Sequence, residues 1–260
     1  MFGPFKSQCR DRSIRSRMGR TRDNLGASSY PTLSDPSKQA LWIDRFQSYT
    51  DASATTRATA GDLVYTLKIN SAWGGGSGNI QQSTSGLRAT YQNSGLQGNG
   101  TTTKYPLAAA IALTGDYTCY FIQQSVAGTN CIGLATGGAI TNFDAVGLDL
   151  NDDNCYTIDT ALSSYAPAAD RSFCMRRIRR SGGTTFYKKP STGEASSANA
   201  NGTINLGAFM ARLGSALATA SSAFINQIVL VTANLTPGGA DDLLIRNALL
   251  SLESGVTDCG

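Results

Sequence analysis

The sequence contains no histidine. That absence removes Ser-His and Cys-His nucleophile pairs, His-ligated zinc and imidazole proton shuttles. Glutamate is nearly missing as well, with Glu194 and Glu253 its only instances. Glycoside hydrolysis generally needs a pair of closely placed carboxylates flanking one bond, and no strand here can present such a set. The chain is therefore expected not to be an enzyme. Charged residues make up only 15% of the chain, which disfavours a helical bundle. No apolar run approaches the ~18 residues that cross a bilayer, so no membrane association is expected. Nor does an apolar segment follow the first charges, as a secretory leader would require. The six cysteines, Cys9, Cys119, Cys131, Cys155, Cys174 and Cys259, include no CxxC pair, and without histidine they make a poor metal set.

What the sequence has in quantity is glycine, 28 residues, together with Ser, Thr, Ala and Asn, around a 41% hydrophobic fraction. Such a composition suits many short strands joined by turns. Strands are expected near 41–44, 62–68, 88–92, 108–114, 117–123, 131–135, 146–150, 156–159, 172–179, 185–189, 205–209 and 223–231. Asn93-Ser94-Gly95 reads as a turn, and Ser181-Gly182-Gly183-Thr184 as a hairpin turn. One helix is expected near the C-terminus, with Thr236 as N-cap and Pro237 in the first position. Asp241 and Asp242 would lie near its positive end, and Leu244, Ala248 and Leu252 would form its apolar stripe beside Ile245 and Leu249. Gly255 would end it.

Charge is unevenly placed. Residues 1–22 carry Lys6, Arg10, Arg12, Arg15, Arg17, Arg20 and Arg22 against the single acid Asp11, while the remainder is slightly acidic. Residues 1–36, which end in the turn formers of Tyr30-Pro31-Thr32-Leu33-Ser34-Asp35-Pro36, read as a basic arm and linker, and residues 37–260 as one β domain. The seven basic side chains are the expected assembly contacts. They lack interleaved aromatics for base stacking and any base-reading motif, so a protein surface rather than nucleic acid is the expected partner.

The order of features resembles a known family. Leu41-Trp42-Ile43-Asp44 precedes Gly61-Asp62-Leu63-Val64-Tyr65-Thr66-Leu67-Lys68, then a Gly/Ser/Asn loop, Arg88-Ala89-Thr90-Tyr91 and Asn93-Ser94-Gly95-Leu96-Gln97-Gly98. Near the end, Phe224-Ile225-Asn226-Gln227-Ile228-Val229-Leu230-Val231 leads into Leu235-Thr236-Pro237 and the helix. Over about residues 40–253 this is similar to the concanavalin A-like, LamG-type jelly rolls of phage virion and bacterial surface proteins. The chain departs from their pattern at Leu67, where tryptophan is usual, and at Gln227, where glutamate is frequent. The resemblance implies an all-β, concanavalin A-like jelly-roll sandwich with one short C-terminal helix; the extended basic N-terminal arm has no counterpart in it and is read from the charge pattern.

Together with the missing catalytic set and the charged arm, the resemblance leads to an expected function: a structural protein of the virion, in the capsid or tail surface, anchored to neighbouring subunits by the arm and displaying the sandwich outward. A homo-oligomer is expected, with host glycans as candidate ligands. The alternative is a lectin-like carbohydrate-binding module of a cell-surface or secreted protein. Trp73 in the glycine-rich loop, Tyr165 and Tyr187 are the candidate sugar-stacking rings. Asp149, Asn151 and Asp153 have the alternating oxygen spacing of a Ca2+ loop, although Asn154 and Thr160 depart from the EF-hand pattern. No other cofactor is expected. Arg176, Arg177, Arg179, Arg180, Lys188 and Lys189 bracket one hairpin and read as a solvated outer surface, with Arg177 and Arg179 on one face and Arg176 and Arg180 on the other. Most cysteines read as small apolar strand residues, and Cys155 and Cys174 are placed to face each other if their segments form a hairpin.

Overall fold

Strands with apolar side chains on both faces belong in the middle of a layered protein, and two segments of this chain have that character. Tyr117-Thr118-Cys119-Tyr120-Phe121-Ile122-Gln123 and Ile225-Asn226-Gln227-Ile228-Val229-Leu230-Val231 are buried at every position. Tyr117, Cys119 and Phe121 enter the main core, whereas Thr118 and Tyr120 bond to the segment leading into the helix and to the helix itself. Two-sided burial follows from lying between a second sheet and a helix.

The computed structural model describes residues 30–74, 78–98, 105–124, 132–135, 145–149, 154–159, 161–165, 172–190, 192–198, 202–212 and 224–260. The chain divides after Tyr30 into two units, and the second, Pro31–Gly260, carries the sheets. Its strands are β1 (Gln39–Asp44), β2 (Ser48–Tyr49), β3 (Thr66–Leu67), β4 (Ile80–Gln81), β5 (Thr90–Gln92) and β6 (Gly95–Gln97). Then come β7 (Tyr105–Leu113), β8 (Tyr117–Gln124), β9 (Ile132–Ala135), β10 (Ala145–Asp149), β11 (Asn154–Asp159) and β12 (Ala161–Tyr165). The last are β13 (Cys174–Ser181), β14 (Thr184–Lys188), β15 (Ala195–Ala198), β16 (Ile204–Arg212) and β17 (Phe224–Val231), followed by the helix α1 (Ala240–Leu252).

An eight-stranded sheet runs in the order β15-β14-β13-β8-β17-β6-β5, with β1 also paired to β17. A six-stranded sheet runs β12-β11-β10-β9-β16-β7, and β2-β3-β4 form a small third sheet. The two large sheets make an all-β sandwich. Its core joins Ile43, Cys119, Phe121, Ile178, Ile228 and Leu230 of the first sheet to Tyr105, Leu113, Leu134, Val146, Leu206 and Phe209 of the second. Each such fully buried apolar side chain contributes about 1.5–3 kcal/mol. At the β13–β14 hairpin Gly182 and Gly183 have φ of +55° and +81°, the left-handed pair that a two-residue turn requires.

The helix differs from its expectation in two respects. It begins at Ala240 with Gly239 as N-cap, while the Thr236 carbonyl accepts from the Gly239 N–H at 2.9 Å in a turn ahead of it. Gly238, at φ +75°, breaks any helix starting at Pro237. The buried stripe is Asp242, Ile245, Arg246, Leu249 and Leu252, whereas Leu243 and Leu244 are exposed. Residues 31–36, expected as linker, belong to the compact unit. Leu33 is buried, and Ser34 donates to Asp241 through its N–H (3.0 Å) and its hydroxyl (2.6 Å).

Two further expectations are corrected. Cys155 pairs in register with Tyr165, because 161–165 is a strand in its own right rather than the turn of a longer hairpin. Cys174 lies on β13 of the other sheet, opposite Gln123, and is buried there. The basic hairpin is not solvated either. Arg176, Arg177, Arg179 and Lys189 are all buried, and Arg177 and Arg179 share Glu194. The division of these arginines between two faces is as the alternation implied.

Candidate functional site

The outer face of the eight-stranded sheet is covered by α1, and a buried ion network joins the two. Asp242 accepts from Tyr120 Oη (2.6 Å), Arg177 Nη1 (2.7 Å), Arg246 Nη1 (3.2 Å) and the Gly238 N–H (2.9 Å). Burial works to raise its pKa, but these donors and the Arg177 charge outweigh it and hold the carboxyl below its ordinary value. Arg246 continues the network to Asp258, which ties the C-terminal segment to the helix. Every charged group in the network is paired, so it fastens the helix rather than offering a free ligand position.

The opposite end of the helix opens differently. β17 carries a bulge at Asn226, since Ile225 faces Gln123 and Gln227 faces Ile122 on β8. Beside it runs the tight turn Asn93-Ser94 between β5 and β6, drawn in by Gly95. A Cβ at Gly95 would stand 2.7 Å from Asn226 Oδ1 and 3.1 Å from the Ile225 carbonyl oxygen, and the residue has φ +138°. Only glycine permits this approach. The third contributor follows β1, where Asp44 accepts from the Phe46 N–H (2.9 Å) and starts a short helical turn that presents Arg45.

These segments meet at Glu253, the residue just after the helix. Its carboxylate takes a two-pronged contact from Arg45, Nε to Oε1 at 2.9 Å and Nη2 to Oε2 at 3.0 Å. Gln227 Nε2 adds 3.1 Å and Asn226 Nδ2 a long 3.5 Å contact. The third guanidinium nitrogen, Arg45 Nη1, donates to the Asn93 carbonyl (2.5 Å) and weakly to that of Gln92 (3.4 Å). Gln227 also bonds Asp44 (2.7 Å) and accepts from Trp42 Nε1 (3.1 Å).

Above this buried floor lies an open polar cleft of about 200 Å³. Asn93, Ser94 and Ser254 are its exposed lining, and Gln124 and Phe173 are half-buried beside them. Carboxamides and hydroxyls both donate and accept, and a ring edge or face adds an apolar contact. This set matches the surface of a polyhydroxylated ligand, whose hydroxyls also do both while its C–H groups need an apolar neighbour. Asp44 and Glu253 share Gln227 Nε2 as donor, so two carboxylates converge here, each only 2% exposed. No group of three potential metal-ligating side chains occurs among the described residues.

The sequence-derived candidates lie elsewhere. Trp73 has no exposed surface: it meets Trp42 edge-on at 5.0 Å, and its Nε1 donates to the Pro31 carbonyl at 2.8 Å. Asn70 accepts from the Ala72 N–H and so folds the short turn that tucks this ring inward. Tyr187 is buried in the core opposite Ile178. Neither ring offers a face to a sugar, which corrects both expectations. Tyr165 lies on β12 and Asp149 on β10. Asn151 and Asp153 lie outside the described residues, as do the arm's Lys6, Arg10, Arg12, Arg15, Arg17, Arg20 and Arg22. The cleft residues were missed because they come from six separate segments, and only the Asn93-Ser94-Gly95 turn carried a local signal.

The sequence matches no family profile and no curated protein. Among solved structures the chain is similar to an arabinofuranosidase complexed with arabinofuranosyl-α-1,2-xylobiose (12% identity, TM-score 0.50, covering 78% of this chain and 54% of that one). It is also similar to a mutant GH54 α-L-arabinofuranosidase soaked with 4-nitrophenyl α-L-arabinofuranoside (13%, TM-score 0.51, 80% and 55%). A Trypanosoma rangeli sialidase aligns at 11% identity and TM-score 0.49, over 81% of this chain and 33% of its own. The chain thus spans about half the length of the arabinofuranosidases and a third of the sialidase. At these identities the likeness shows a shared β-sandwich fold alone. It nonetheless overturns one expectation. Glycoside hydrolases have this architecture, so the scarcity of glutamate does not set the chain apart from enzymes.

Proposed function

We propose that this chain is a carbohydrate-binding sandwich of the concanavalin A-like, LamG-type class, displayed on a virion surface and attached there by its basic N-terminal segment. The observation that carries the carbohydrate part is the open cleft of carboxamides, hydroxyls and one aromatic ring at the end of the sandwich. The fold shared with arabinofuranosidases supports it. Attachment rests on the charge surplus of residues 1–22, which suits an acidic face on neighbouring subunits and would weaken with salt.

One experiment with two readouts tests both parts. The full chain and a chain lacking residues 1–30 are offered to a glycan array and to assembling particles. Both should bind glycan, and only the full chain should be incorporated. Incorporation of the truncated chain would refute the anchoring role, and a blank array would refute carbohydrate binding.

A further inference from the structure

Resting on that reading, we infer that the cleft takes an uncharged sugar residue and discriminates against sialylated, uronic or sulfated glycans. The strongest contact an acidic sugar can receive is a charge-assisted one from a cation with a free donor. Arg45 is the only cation among the described lining residues, and all three of its nitrogens are committed, two to Glu253 and one to the Asn93 and Gln92 carbonyls. Its charge is matched by the Glu253 carboxylate, so the pair offers an incoming anion no net attraction.

Three further features push the same way. The cleft lies beyond Leu252, at the C-terminal end of α1, where the negative end of the helix dipole adds negative potential. Asn226, which lines the cleft floor, holds its Oδ1 buried without a donor, so what the floor leaves unpaired is an acceptor with negative partial charge. The accessible groups, Asn93, Ser94, Gln124 and Ser254, are all neutral, and the Phe173 ring can pack against the C–H face of the sugar.

The test is calorimetric titration of the full chain with pairs of glycans identical except for a terminal neutral or acidic residue. The neutral member should bind at least about tenfold more tightly, the equivalent of one unpaired polar contact. Phe173→Ala and Gln124→Ala should each weaken neutral binding by about tenfold at unchanged melting temperature. Ser254→Lys, which places a free ammonium on the exposed rim, should raise affinity for the acidic member. Tighter wild-type binding of the acidic glycan overturns this inference while leaving carbohydrate binding intact. Undiminished binding by Phe173→Ala and Gln124→Ala overturns the location, and no binding of either member overturns the carbohydrate reading itself.

Discussion

Asp242→Asn tests the packing argument most severely, because it removes one charge and almost no volume. Asp242 is 1% exposed and receives four donors. Removing one partner of a buried ion pair costs about 3–5 kcal/mol, most of it from the charge left behind. Two compensations reduce that figure. Arg177 retains Glu194 at 3.1 Å, and Arg246 retains Asp258. The expected loss is therefore about 3 kcal/mol, at the low end of that range. At ~2–4 °C per kcal/mol for a chain of this size, the melting temperature should fall by roughly 10 °C. The acid dependence gives an independent check. A carboxyl whose folded pKa is lowered contributes stability above its unfolded value of about 4, and loses it as pH falls through the folded value. Urea titrations of both proteins should thus show the full gap at pH 7, narrowing steadily as pH drops below about 4. Glu194 and Asp258 are also lowered, but they titrate in both proteins and cancel in the difference. A gap below about 1 kcal/mol at neutral pH, or one constant through the acid range, would refute the reasoning.

Gly95→Ala should destabilise the chain by more than about 1 kcal/mol, because φ is +138° and the new Cβ meets the Ile225 carbonyl at 3.1 Å. Chemical denaturation measures this, and a neutral outcome would contradict the close approach of turn and bulge. Burial pushes the Cys259 thiol up to about 12 despite the nearby Arg177 charge, so it should resist iodoacetamide at pH 8 in the folded chain. Peptide mapping by mass spectrometry should find it labelled only after unfolding, as with the other buried thiols Cys119 and Cys174. Trp73→Phe removes the bond to the Pro31 carbonyl and should cost about 1 kcal/mol. Glycan affinity should not change, and a loss would restore Trp73 as a binding residue.

The β class, the Asn93-Ser94-Gly95 turn and the Gly182-Gly183 hairpin were legible because their signals are local: alternation, and residues that tolerate positive φ. The partition of Arg177 and Arg179 from Arg176 and Arg180 followed from the same period of two. Their burial did not, because their partners stand far off in sequence. Arg177 finds Asp242 across 65 residues and Arg179 finds Glu194 across 15. The same distance hid the charged part of the helix stripe. Hydrophobicity picks out the buried Ile245, Leu249 and Leu252 but adds Leu244 and Ala248, whereas the face that packs also contains Asp242 and Arg246 because the sheet beneath it carries Arg177 and Tyr120. The cleft was illegible for a related reason. Its exposed lining is individually ordinary, and its floor exists only once residues near 45, 93, 226 and 253 meet.

The two ends of α1 pose opposite electrostatic problems, and the contrast bears on the cleft. Asp242, in the first turn, lies where the helix dipole favours a negative charge, so the dipole assists the network that fastens the helix. Glu253 follows the last turn, where the dipole opposes a carboxylate. Helix stability alone would therefore select against Glu253, and its role lies in what it gathers: Arg45, Gln227 and, at longer range, Asn226. Glu253→Gln should relieve the dipole conflict while leaving Arg45 without its two-pronged partner. Asn93 would then be held by a guanidinium that is itself no longer fixed. Amide hydrogen exchange should accelerate at residues 45–46 and 93–95 in this variant but not in Asp242→Asn, whose defect lies at the other end of the helix. Equal acceleration in both would mean that the helix moves as a rigid lid and that Glu253 has no separate part in shaping the cleft.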